Sequence, residues 1–337
     1  MRASPAVSVL MPSYNHGRFV EEAIESVLAS REIDLEIVVV DDGSTDDTLE
    51  RLGRWSRESR LHLYRQENCG AHAALNRCLE QARGELIFIL NSDDAFEPGR
   101  IPRLTRVLTE QPDVAIAASW IRVVDEAGIE IGVKEGWRNM PPWPRTGSGP
   151  TIAGLADERL ALLETNYIST TSNLAFRREL VDQHRLRFRS LRYAHDWEFI
   201  LSACQLGRIF LVDEPLVRYR VHGANTIREG AESSQGQMRL EIQWSVARHA
   251  VQMLERAAET SDLDFTALEA LAWNSMPSFG RQTILNALLL LRGSSDEPPA
   301  AYDALIEPSH PFYQESVAVL AEDLPNPERF EKRAQDI

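Results

Sequence analysis

The chain has only three cysteines in 337 residues. Cys69, Cys78 and Cys204 make neither a paired framework nor a metal-binding spacing, so reduced thiols in a cytoplasm are the expectation. Long apolar runs are also missing. The greasiest, Ile284–Leu291, is broken by Asn286 and stops at Arg292, well short of the roughly eighteen residues that mark a membrane-spanning helix. The first strand-like run, Val7–Leu10, is too short for a signal-peptide core. Positive charge is scarce: the formal net charge is −15. Residues 231–337 carry 17 acidic and 8 basic side chains, a balance of −9 that leaves −6 for the first 230. Neither part offers the basic face that a nucleic-acid partner requires. The same acidity works against attraction to anionic lipid.

What remains is an ordinary globular composition, 43% hydrophobic and 26% charged. It is long enough for a main domain and an addition to it. The first part alternates strand-like and helix-like segments. Val7–Met11 is a short apolar run closed by Pro12. Arg18–Ala29 carries Phe19, Ala23, Ile24, Val27 and Leu28 on one helical stripe. Strands are predicted at Leu35–Val40, Leu61–Tyr64, Leu86–Leu90 and Val114–Val124, with helices at Thr48–Trp55, Ala71–Ala82 and Pro98–Leu108 between them. Such alternation implies parallel strands covered by helices on both faces. Asp125–Gly128 reads as a hairpin turn into Ile129–Val133, and Gly136–Pro150, with Trp137 and Trp143, as a surface loop that closes over a ligand. Segments 235–259, 264–293 and 312–322 look helical. The expected division is therefore a domain over 1–230 and a helical region over 231–337.

In an open α/β sheet, ligands bind beyond the carboxyl ends of the strands, and the polar clusters sit there. Ser13-Tyr14-Asn15 follows the first strand, Asp41-Asp42-Gly43-Ser44 the second, and Asn91-Ser92-Asp93-Asp94 the fourth. A carboxylate at a strand end can accept from a nucleobase imide or a ribose hydroxyl, though Asp-Gly-Ser is equally an ordinary turn and helix cap. Adjacent carboxylates after a buried strand repel each other. They become favourable when a divalent cation neutralises them and its shell is completed by substrate phosphates.

These segments, in this order, resemble glycosyltransferase family 2, the inverting family with the GT-A nucleotide-diphospho-sugar transferase fold. The likeness runs from Ser-Val-Leu-Met-Pro-Ser-Tyr-Asn through Val-Val-Asp-Asp-Gly-Ser and Ala73-Ala74-Leu75-Asn76 to Ser-Asp-Asp, and covers about residues 7–226. It implies that Pro12, Tyr14 and Asp42 line the nucleobase pocket with Asp41 beside them at the nucleotide, and places Asn76 in the family's Ala-x-Asn signature. It also implies that Asp93 meets the ribose and Asp94 the metal. In Ala194-His195-Asp196-Trp197-Glu198, Asp196 matches the expected general base, while His195 stands where members usually carry an acidic neighbour. A cap for a helix over 197–205 is the structural alternative for Asp196. Leu216–Thr226 resembles the family's Tyr-Arg-x-His segment, which makes His222 a metal ligand or a donor to the diphosphate. Arg218 and Arg220 are either part of that site or solvated edge charges.

The resemblance implies a metal-assisted (Mn2+ or Mg2+), single-addition transfer of a sugar from a UDP-, GDP- or dTDP-sugar to a saccharide or lipid-linked acceptor, in cell-surface polysaccharide or glycoconjugate synthesis. The expected location is cytoplasmic. Peripheral contact with the inner face of a membrane and self-association through the C-terminal helices stay open. Two alternatives stand beside it. A nucleotidyltransferase would want a Gly-rich basic phosphate loop, which Pro-Ser-Tyr-Asn-His-Gly-Arg at 12–18 does not provide. A non-catalytic sugar-nucleotide binder would have no use for both Asp94 and Asp196.

Overall fold

The computed structural model describes residues 5–136, 138–143, 158–223 and 225, with scattered helical positions between 238 and 252. Contacts divide the chain into two compact units. The first comprises Met1–Thr146 and Tyr167–Arg228, the second Gly147–Asn166 and Glu229–Ile337. The second unit thus takes a segment from inside the expected first domain. Its described parts are a helix at Glu158–Glu164 and a helical stretch in which Ser245 Oγ donates to the Glu241 carbonyl (2.9 Å) and His249 Nδ1 meets the Ser245 carbonyl (2.7 Å). The helices expected at 264–293 and 312–322 lie outside the described residues. Among the described residues no helix is long and apolar enough to cross a membrane.

The first unit is a mixed sheet flanked by helices. In chain order the strands are β1 (Val7–Ser13), β2 (Leu35–Asp41), β3 (Leu61–Arg65), β4 (Leu86–Ile89), β5 (Ala95–Phe96), β6 (Val114–Val124), β7 (Glu130–Lys134), β8 (Ala175–Arg177) and β9 (Arg208–Arg220). The helices are α1 (Val20–Leu28), α2 (Thr48–Gly53), α3 (Ala71–Gln81), α4 (Arg100–Glu110), α5 (Glu158–Glu164, in the second unit), α6 (Glu179–His184) and α7 (His195–Ala203). The spatial order is β3-β2-β1-β4-β8-β6-β9-β5, with β7 added on β6.

β1 and β2 are buried along their whole length, which explains why they read as continuous rather than alternating apolar runs. Pro12 is tolerated in β1 because the pairing with β4 ends at Leu10↔Ile89, before the proline. α1 buries Val20, Ala23, Ile24 and Val27, the spacing of one helical face. Glu36, near the start of β2, is met by Ser8 Oγ (2.7 Å) and by the Arg83 backbone N–H and Nε (2.7 and 2.8 Å). Gly84 is needed beside this clamp, since a Cβ there would come within 2.5 Å of Ser8 N.

The expected parallel pairing holds for β1–β4 and for β6 with β9. The hairpin expected at Asp125–Gly128 makes β7 antiparallel to β6, while β8 and β5 add antiparallel pairings that the alternation does not announce. β8 is three residues long, too short to show a period, yet it joins β4 to β6. β9 is masked in the sequence by Asp213-Glu214-Pro215, where the register jumps from Ser119↔Val212 to Trp120↔Pro215. The two acidic residues are looped out there as an exposed bulge.

Candidate active site

Two turns at the carboxyl edge of the sheet are stapled together by Asn15. It adopts a left-handed backbone (φ 54°), and its Oδ1 accepts from Thr45 N (2.8 Å) and Asp46 N (3.3 Å). Its own N–H donates to Ser44 Oγ (3.0 Å). Tyr14, just before it, leaves its ring 43% exposed at the mouth of the site, whereas Pro12 is buried in β1. Asp42 is spent on the wall: its carboxylate accepts from Gln66 Nε2 (2.7 Å), Cys69 N (2.9 Å) and Gly70 N (2.9 Å), fixing the loop that enters α3. Gly43 (φ +77°) lets the chain pass that loop, where a Cβ would sit 2.9 Å from Asn68 N. Asp41 accepts from Ser44 N (3.1 Å), and its Oδ1 is buried with no partner among the described residues.

The adjacent carboxylates after β4 point to different surroundings. Asp94 is 2% exposed; it accepts from Ser172 Oγ (2.6 Å) and from the Arg220 backbone N–H (2.9 Å). Burial, with the Asp93 charge behind it, pushes its carboxyl well above the usual range. Asp93 Oδ2 instead lies 3.0 Å from His222 Nε2 and 3.8 Å from His16 Nε2. Burial alone would raise the Asp93 carboxyl too, but the two imidazoles outweigh it and hold it below the ordinary value. Its Oδ1 is buried without a partner among the described residues. His16, Asp93 and His222 present ligand atoms within 4.8 Å of one another.

This group is braced from behind. Ser92 Oγ lies 2.9 Å from His16 Nδ1. Asn225 accepts from His222 N (2.5 Å) and donates to the Arg220 carbonyl (3.1 Å). Arg220 is not a solvated edge charge. It is 3% exposed, donates from Nε to the Asp93 carbonyl (3.1 Å) and from Nη2 to Glu22 (2.6 Å), and lies over the Phe19 ring. Arg218 pairs with the same Glu22 (2.6 Å) and with Glu97 (3.5 Å). The Thr171–Asn173 turn completes the brace through Ser172, which also accepts from Asn91 N (2.9 Å).

Asp196 lies in the first turn of α7, half-buried, and its Oδ1 accepts from Trp197 N (2.7 Å). The helix begins earlier than expected, with Ala194 rather than Asp196 at the cap position, and Asp196 satisfies a first-turn N–H from inside the helix. Glu198 is buried and held by Arg189 Nε (2.9 Å) and Ser202 Oγ (3.2 Å), a structural pairing. Asn76, expected at the nucleotide, bonds to the backbone of Phe188. Its amide donates to the Phe188 carbonyl (2.7 Å) and accepts from Phe188 N (2.9 Å), tying α3 to the segment before α7. Asp94, expected on the metal, has one donor on each oxygen, the Ser172 hydroxyl and the Arg220 backbone N–H, which leaves a lone pair on each. Trp143 is locked in a cluster with Ile121, Val123, Tyr219 and Val221 and donates to the Ser169 carbonyl (2.9 Å); Trp137 lies outside the described residues. Sequence reasoning missed His16, although it directly follows the Tyr14-Asn15 pair, because one histidine in a turn carries no spacing signal.

Residues 8–184 match the family model described as glycosyl transferase family 2. An uncharacterized glycosyltransferase of Nostoc sp. is 29% identical over 237 residues, 68% of this chain and 69% of the relative. Among solved structures, S. aureus TarS in complex with UDP-GlcNAc superposes over 97% of this chain and 83% of its own, at 18% identity and a TM-score of 0.61. The mannosyltransferase PcManGT of Pyrobaculum calidifontis, in complex with GDP-Man and Mn2+, covers 97% of this chain and 78% of its own at 18% identity, with a TM-score of 0.50. The mixed sheet flanked by helices is that of the GT-A nucleotide-sugar transferases.

Proposed function

Since this chain belongs to glycosyltransferase family 2, we propose that it moves a sugar, with inversion, from a nucleoside diphosphate to an acceptor hydroxyl, using a divalent cation held by Asp93 and His222. The observation that carries this reading is the pairing of Asp93 with His222, 3.0 Å apart, with a buried and unpartnered Asp93 oxygen beside it. A carboxylate and an imidazole are a suitable donor set for Mn2+ or Mg2+. A cation held there would supply positive charge to offset that of the departing diphosphate. The metal-bound mannosyltransferase supports the choice of ion.

The protein's own part is positioning. Tyr14, exposed beside the Asp42-braced wall, offers a ring for the nucleobase, and Asp41 an unpartnered buried oxygen for a donor N–H or hydroxyl of the nucleoside. Asp196 accepts the acceptor hydroxyl proton as that oxygen bonds to the anomeric carbon. The bond to the phosphate oxygen breaks on the opposite face and the nucleoside diphosphate leaves. UDP- and GDP-sugars are the first donors to try, because the two solved relatives hold UDP-GlcNAc and GDP-Man. The acceptor is a saccharide or a lipid-linked acceptor that receives a single sugar in cell-surface polysaccharide or glycoconjugate synthesis.

The test is donor consumption by the full chain across UDP-, GDP- and dTDP-sugars with Mn2+, Mg2+ or chelator, followed by NMR of the product's anomeric configuration. Metal-dependent release of nucleoside diphosphate with an inverted product supports the reading. No consumption of any donor, or a retained configuration, refutes it.

A further inference from the structure

We propose that His16 is a third protein ligand of the cation assigned to Asp93 and His222, so that two imidazoles and a carboxylate bind a transition-metal ion to the protein before any nucleotide arrives. The inference rests on the functional reading above and adds a residue to it.

Three segments far apart in the chain deliver the group: the β1–α1 turn brings His16, the turn after β4 brings Asp93, and the end of β9 brings His222. Their ligand atoms lie within 4.8 Å of one another. Ligand atoms about 2.1 Å from an ion and at right angles to each other are about 3.0 Å apart. The Asp93–His222 separation is 3.0 Å and the Asp93–His16 separation 3.8 Å, with the two imidazole nitrogens within 4.8 Å, so movement of the His16 ring toward its two partners completes the set. At 3.8 Å, His16 Nε2 is too far from Asp93 to hydrogen-bond to it. A histidine kept only to satisfy this carboxylate would sit closer. The gap, together with the unpartnered Asp93 Oδ1, is what a cation between the groups requires.

His16 is also oriented as a ligating imidazole is. The buried Ser92 hydroxyl lies 2.9 Å from Nδ1; with Nδ1–H donating to it, the Nε2 lone pair faces Asp93. The His16 and His222 rings stand edge to face at 89°, with centroids 5.7 Å apart, so they converge rather than stack. Two nitrogen ligands favour Mn2+, Co2+ or Zn2+ over Mg2+, which prefers carboxylate, phosphate and water oxygens. A site of Asp93 and His222 alone would instead depend on the diphosphate to bring the metal.

The deciding experiment titrates the nucleotide-free full chain with Mn2+, reading free ion by EPR, with Mg2+ as competitor and pulsed EPR to count imidazole nitrogens on the bound ion. Wild type should bind Mn2+, resist Mg2+ until it is in large excess, and show two imidazoles. Outer-sphere partners alone are worth about 10- to 100-fold in metal affinity, so His16→Gln should weaken binding at least about tenfold and leave one imidazole. Ser92→Ala should weaken it less. His16→Gln binding Mn2+ within about twofold of wild type would overturn the proposal, as would one imidazole in the wild-type spectrum. That count stands even if the variant does not fold. Wild type that turns over a donor with Mn2+ yet binds none without nucleotide refutes this inference alone. Two imidazoles on Mn2+ in a protein that consumes no donor refutes the transferase reading and leaves this one intact.

Discussion

Exchanging Asp93 and Asp94 separately for asparagine tests whether neighbouring carboxylates do different work. Asparagine keeps the shape of either side chain but cannot carry the charge that holds a cation. At 93 the loss falls on the metal group. A bound ion contributes several kcal/mol to stabilising a leaving group, and about 4 kcal/mol corresponds to roughly 10³ in rate. Asp93→Asn should therefore lower Mn2+-supported transfer by about 10³. Its stability cost should be small, because the lost bond to His222 is offset by removing a buried negative charge beside Asp94, whose carboxyl is already pushed well above the usual range by burial and by Asp93. At 94 the balance is reversed. The amide oxygen of the substituted side chain can still accept from Arg220 N, and its NH2 can donate to Ser172 Oγ, so the partners now at 2.9 and 2.6 Å stay satisfied. Asp94→Asn should keep turnover within about tenfold, whereas Asp94→Ala should cost about 1–3 kcal/mol by stranding a buried N–H. The assay is single-turnover transfer at saturating donor and Mn2+, with melting curves of each variant. If Asp94→Asn loses as much turnover as Asp93→Asn while melting normally, the cation sits on Asp94 and the reasoning here is wrong.

Three further outcomes are expected. Asp196→Asn should reduce transfer by about 10²–10⁴, the range for losing a general base, with donor affinity and melting temperature nearly unchanged; single-turnover kinetics showing near-normal transfer would remove Asp196 from the chemistry. Asn76→Ala breaks both bonds to Phe188 and should cost about 1–3 kcal/mol of stability with little effect on calorimetric donor affinity, while the opposite pattern would return Asn76 to the nucleotide. Glu36 is drawn below its ordinary range because its bonds with Arg83 and Ser8 outweigh its burial. The stability from that depressed carboxyl is present above its unfolded value of about 4.3 and fades as pH falls through the folded value, so the urea midpoints of wild type and Glu36→Gln should converge below about pH 4. A gap that does not change with pH would show that the charge is not what stabilises the clamp.

Much of the fold was legible because its elements are long and periodic. The strand at Val114–Val124 matches β6 end for end, and β1–β4 and α1–α4 fall within a few residues of their expected bounds. The polar clusters expected at the strand ends share one edge of the sheet, since β1, β2 and β4 are parallel. Less visible was anything that rests on a partner distant in sequence. β8 exists because β4 and β6 need a strand between them, and three residues carry no period of their own. The α7 start at His195 was misjudged because a good capping residue, Asp196, stands one position inside the helix.

What the sequence determined by itself is the inventory: which turns carry carboxylates, that parallel strands deliver them to one edge, and that Tyr14, the Asp41-Asp42 pair, the Asp93-Asp94 pair, Asp196 and His222 are the groups to watch. Local periodicity and turn chemistry are properties of neighbouring residues, so one dimension suffices for them. The tertiary structure decided which neighbours each of these groups meets. Asp93 and Asp94 are adjacent and chemically identical, and only the approach of His16 and His222 to one, and of Ser172 and the Arg220 backbone to the other, separates them. The same holds for Asn76, engaged by Phe188 112 residues away. Hydrogen bonds and burial set a side chain's role through whatever stands within about 3 Å of it, and along the chain those neighbours are dozens of residues apart.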